Sequence, residues 1–214
     1  MTQPDVALTD YGLALECSIF VYLLGSVPGN SRLLRFWFIV YFLSIALAAA
    51  LGGTVHGFYA EPASVGSRVL WPLTLIAIGI TSLAGAGIGA ILLFKASTAL
   101  VVSSAAGVVF FVYCMVILFL WDDFLVAIVD YLPIVLFLGW AFVAAYGRTK
   151  RPVFMIGFFG LCTMLIATGI QQFGLGIHPH YFNHNAVYHV LQAVALLMIF
   201  IVARDVTMQS EVRP

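Results

Sequence analysis

Apolar runs of about 20 residues, parted by little more than a proline, a glycine or a few charges, occupy the chain from residue 10 to residue 204. Runs of that length match the hydrocarbon thickness of a bilayer, and a spanning segment must satisfy its backbone internally, which makes each of them a helix. The 214 residues are 63% hydrophobic and 8% charged, with a mean hydropathy of +1.10. A soluble domain carries roughly 25% charged residues. The pattern predicts an all-α integral membrane protein, a single seven-transmembrane-helix bundle with helices near 10–26, 33–57, 67–94, 97–121, 124–147, 152–173 and 184–204. The stretch 97–147 is nearly continuous, but it is too long for one crossing, and Trp121-Asp122-Asp123 reads as an interfacial turn that divides it. The opening MTQPDVALTD has two acids and no Lys or Arg, unlike the basic start of a secretory signal, so the first helix is expected to be retained.

Charge sets the orientation. Eight of the nine Lys and Arg residues fall at one end of the bundle, in Arg32, Arg35, Lys95, Arg148, Lys150, Arg151, Arg204 and Arg213; only Arg68 falls at the other. Basic loops stay in the cytoplasm, which predicts the N-terminus outside and the C-terminus inside. No basic patch interleaves with aromatics, and the formal net charge is zero, so nucleic acid is not an expected partner. Cys17, Cys114 and Cys162 lie singly in apolar runs and read as small buried side chains.

All five histidines and seven of the nine acids fall toward the poorly basic end. Glu16 and Asp130 lie inside apolar runs, where an unpaired charge is costly and ionisable groups are functional by default. With these helix limits Glu16, His56, Asp130 and His189 share one depth. Asn185, His189 and Gln192 continue down one side of the seventh helix, and Gln171 and Gln172 end the sixth at that level. The set predicts a polar pocket open to the outside. Imidazoles and carboxylates are the ligands of zinc, so His56 and His189, with His184, Glu16 or Asp130 as a third ligand, form a candidate metal centre in which Asp130 and Glu16 are the candidate catalytic carboxylates. His178 and His180, flanking Pro179, read as solvated loop residues. Gly85 and Gly89 form a small-residue pair expected to bring the third and fourth helices together, the latter thinned at Ser103 to Gly107. Pro133 is expected to bend the fifth helix just below Asp130.

The seven-helix frame, a histidine closing the second helix and a polar-His motif opening the seventh resemble the superfamily of alkaline ceramidases, progestin and adiponectin receptors and Per1-like proteins, membrane zinc hydrolases of lipid amides. GGTVHGF and HNAVYHVLQ also resemble an uncharacterised bacterial seven-helix family, which implies the bacterial cytoplasmic membrane. His56 and His189 match the hydrolase pattern. Gly52 stands in place of its Ser, Asn185 in place of its first seventh-helix His, and 62–121 holds no Asp. The resemblance implies a metal-dependent hydrolase of a lipid amide or ester drawn from the outer leaflet. Two other functions fit the same residues. One is an accessory subunit of a bacterial membrane complex, suggested by the short loops. The other is a b-type haem protein with His56 and His189 as axial ligands.

Overall fold

In a computed structural model, residues 1–26, 31–178 and 181–208 are described. Seven helices follow one another: α1 (Pro4–Ser26), α2 (Arg32–Phe58), α3 (Val65–Leu93), α4 (Ala96–Phe119), α5 (Phe124–Thr149), α6 (Val153–Gln172) and α7 (His184–Met208). All seven are long and apolar enough to cross a membrane. Their limits have local causes. Ser64 caps α3 by accepting from the amide of Ser67 at 3.1 Å, and Asp123 caps α5 by accepting from Leu125 at 2.7 Å. The Asn183 side chain accepts from the amides of Asn185 and Ala186 at the start of α7. The turn between α4 and α5 falls at the acids expected to make it, and Trp71 Nε1 donates to the carbonyl of Asp122 at 2.7 Å to hold it.

One limit differs in a way that matters. α1 begins at Pro4, six residues before the expected start. Proline suits the first helical position because its missing N–H would be unpaired there, and Asp5 in the first turn complements the helix dipole. The added turns carry Thr9 and Asp10 into the bundle.

The starts of α1, α3, α5 and α7 gather at what we call the upper end. There the amides of Thr2 and Gln3 donate to the carbonyls of Gly57 and His56, and the amide of Asn183 donates to Asp5 Oδ2. At the lower end Arg148 donates to the carbonyl of Leu92, and Arg151 pairs with Asp205. Neighbouring contacts run α1 to α2, α3, α5, α6, α7 and back to α1, a closed ring of six. α4 stands outside it against α3, with only Ala99, Tyr113 and Ile117 buried.

The small-residue pair of α3 packs elsewhere than expected. A Cβ on Gly85 would stand 2.9 Å from Ile134, and one on Gly89 2.6 Å from Phe137, so both glycines face α5. The contact with α4 is made higher up, where Gly79 lies under Tyr113 and Phe110. The thin segment of α4 meets nothing comparable, since no atom lies within 4 Å of a Cβ built on Gly107. Helix α5 continues through Pro133.

The lower half of the ring is packed solid. Phe20 stacks on Phe200 with centroids 4.2 Å apart, Phe42 meets Phe20 edge-on at 5.3 Å, and Phe142 and Phe154 are fully buried beside them. Close packing of this kind holds helices together even where their surroundings are apolar. The upper half is hollow.

Candidate functional site

The hollow is a cavity of about 250 Å³ enclosed by α1, α2, α3, α5, α6 and α7. His56, Trp71, Phe124 and Asn185 border its upper part; Tyr41, Leu138, Leu161 and Met164 line its depth. Among the described residues no Lys or Arg lines it.

Its most buried charged group is Asp10, which is 4% exposed. The adjacent glycines of α2 admit it. A Cβ on Gly53 would stand 2.9 Å from Asp10 Cβ and 3.2 Å from the carbonyl oxygen of Ala7, so α1 and α2 touch backbone to side chain there. One position earlier, Gly52 faces the carboxylate itself across the cavity wall. Asp10 Oδ1 lies 3.2 Å from His189 Nε2, and Thr9 Oγ1 lies 3.1 Å from His189 Nδ1. Thr9 also approaches the carbonyls of Asp5 and Val6, both at 2.9 Å. Its single proton goes to that pair of carbonyls, so the Thr9 oxygen accepts from Nδ1–H of His189. One further proton then serves the contact between His189 and Asp10. The two side chains form a buried pair of zero net charge, whichever of them carries that proton.

His56 is fixed in the same manner. Its Nδ1 donates to Gln3 Oε1 at 2.9 Å, which leaves Nε2 an acceptor in the neutral ring. Deeper in, the hydroxyls of Tyr131 and Thr168 meet at 2.5 Å, and Gln192 lines the wall between them and the histidines.

The structure thus brings His56 and His189 to one cavity, as the sequence pattern suggested, and parts them from the other candidates. His184 is the first residue of α7 and does not line the cavity. Glu16 lies six residues beyond Asp10 on α1, about 9 Å deeper and on another side of the helix, and its Oε2 is buried without a hydrogen-bond partner. Asp130 faces Ser82 of α3 rather than the cavity. The common depth inferred for these groups rested on starting α1 at residue 10. Among the described residues no group of three His, Cys, Asp or Glu side chains is placed to hold a metal ion. His178 is exposed, and its Nδ1 accepts from the amide of Tyr181; His180 lies outside the described residues.

Asp10 is the residue that sequence reasoning missed. Its signal was present in Pro4-Asp5, a helix start six residues upstream of the one expected, and in the GlyGly pair at 52–53 that leaves room for it.

A ring of apolar helices around a half-polar cavity defines an all-α bundle, each helix long and apolar enough to cross a membrane. By sequence, residues 6–208 match the profile described as a family of unknown function (DUF6962), and the chain belongs to that family. No curated protein and no solved structure matches the chain.

Proposed function

We propose that the bundle lies in a membrane with its upper end outside and binds a small amphiphile whose head is neutral or cationic. One observation carries this reading: a cavity apolar in its depth bears an acid, two histidines and several amides above and, among the described residues, no Lys or Arg. A phosphate or carboxylate head would leave its charge without a cation in a site of low dielectric, whereas a hydroxyl, amide or ammonium finds acceptors in Asp10 and in His56 Nε2. The cavity, of about 250 Å³, is of a size to take a small amphiphile. In nanodiscs, a fatty alcohol and a fatty amine of equal chain length are expected to raise the melting temperature, and the matching fatty acid to leave it unchanged. Equal stabilisation by the acid would refute the reading.

The orientation has its own test. Lys and Arg cluster at the lower end, in keeping with a cytoplasmic location in a bacterial membrane. With Cys17, Cys114 and Cys162 replaced, Thr149→Cys is expected to resist an impermeant thiol reagent in intact cells and to react after lysis. Reaction in intact cells would place that end outside.

A second reading, hydrolysis of a lipid amide or ester, draws on the Asp10–His189 pair. Such a pair takes the proton of a water as it adds to the carbonyl and returns it to the leaving amine or alcohol. The zinc expected from the resemblance to ceramidase-like hydrolases wants three protein ligands, a set the described residues do not assemble. Axial ligation of a haem by His56 and His189 would have to break the contact with Asp10. If hydrolysis occurs, Asp10→Asn should lower fatty-acid release by about 10²-fold or more, the scale of a general acid–base contribution, in a protein that still binds the fatty alcohol. No release by the wild-type chain would leave binding as the function.

A further inference from the structure

We infer that the upper part of the cavity is an aromatic cage for an alkylated ammonium head, a positive charge on a nitrogen whose substituents are all carbon. The inference rests on the reading of the cavity as an amphiphile site and names the head it takes. Aromatic rings follow one another around the hollow in the order of the helices. Between ring centroids His56 of α2 lies 6.3 Å from Trp71 of α3, and Trp71 lies 6.4 Å from Phe124 of α5. Phe124 lies 6.5 Å from Tyr188 of α7, and Tyr188 lies 5.3 Å from His189. All five line the cavity. Successive ring planes differ by 78°, 40°, 87° and 57°, so the rings bend around a space instead of stacking on one another. Asp10 of α1 brings the circuit round to its start. Its carboxylate meets His189 on one side and Gly52 on the other, and Gly52 shares a face of α2 with His56 one turn above.

The face of an aromatic ring is negative, and a cation within about 6 Å of its centroid is attracted to it, most strongly by Trp. Rings spaced as these are leave the middle of the space at about that distance from each. The bond from Trp71 Nε1 to the carbonyl of Asp122 fixes the indole and engages its one polar atom outside the cavity. A primary ammonium must place three N–H donors at once, and ring faces serve it poorly. An alkylated ammonium has no N–H to satisfy, so the same walls suit it. Asp10 supplies the countercharge, and among the described residues no Lys or Arg lines the cavity to oppose it.

The test uses the whole chain in nanodiscs with three probes of equal chain length, hexyltrimethylammonium, hexylammonium and hexanol. Kd is read from the rise in melting temperature with probe concentration. Hexyltrimethylammonium should bind about tenfold more tightly than hexanol, and more tightly than hexylammonium. Replacing Phe124 by trifluorophenylalanine keeps the shape of the ring while draining its negative face, and should cut the preference for hexyltrimethylammonium over hexanol by about fivefold. Phe124→Leu, which removes the face altogether, should lower that preference in the same direction. Equal affinity for hexyltrimethylammonium and hexanol, tighter binding of hexylammonium, or a preference untouched by fluorination overturns the cage while amphiphile binding stands. No stabilisation by any of the three overturns both.

Discussion

Gly53→Leu is expected to prevent accumulation of folded protein, whereas Gly52→Ala should be tolerated, although the two positions are neighbours on one helix. Replacing a helical glycine by alanine ordinarily gains roughly 0.5–1 kcal/mol, because the unfolded chain loses freedom. At Gly52 a new Cβ finds ordinary contacts, 3.6 Å to Thr74 Cγ2 and 3.7 Å to Asp10 Oδ2, so that gain should survive. At Gly53 the nearest atoms are the Cβ of Asp10 and a backbone oxygen, neither able to swing away. Overpacking of this kind costs about 1–3 kcal/mol per site even where neighbours adjust, and a leucine here would force α1 off α2 and break the contact between Asp10 and His189. Monodispersity in detergent and melting temperature decide it. A Gly53→Leu protein as stable as wild type would mean that α1 does not cross α2 at this point.

Gly52→Phe should separate binding from folding. The side chain would project beside the carboxylate into a hollow of about 250 Å³, most of which a benzyl group and its contacts would take up. A cavity that loses its volume loses its ligand, so stabilisation by the fatty alcohol should disappear, a loss of at least about 2.7 kcal/mol at a ligand concentration a hundred times Kd. The protein without ligand should melt near the wild-type temperature. Retained stabilisation would place the ligand elsewhere.

The sequence carries the architecture plainly, because bilayer thickness dictates segment length and the polar breaks are few. The turn at Trp121–Asp123 is legible because two adjacent acids follow a tryptophan in a stretch too long for one crossing, whereas Asp130 stands there singly. The site was only half legible. His56 and His189 stand where their helices leave the apolar runs, and a histidine there marks a polar level. Asp10 falls on the first residue of the helix that hydropathy predicts, which starts where the apolar run begins, whereas the backbone begins its helix at Pro4. Glu16 and Asp130 drew attention as acids in apolar runs, but hydropathy gives their depth and not the direction in which they point. Direction follows from which helices pack together. That depended on close approaches such as Gly85 against Ile134, which a small-residue pair permits without naming its partner.

The ring closes between its first helix and its last, and this fixes when the site comes into being. Thr9 and His189 are 180 positions apart in the chain. A chain in which only α1 through α6 have packed holds Asp10 in the bundle with no histidine from α7 beside it, and the cavity lacks one wall. The final helix delivers both together. The contact between Asp10 and His189 therefore forms only when α7 has docked against α1.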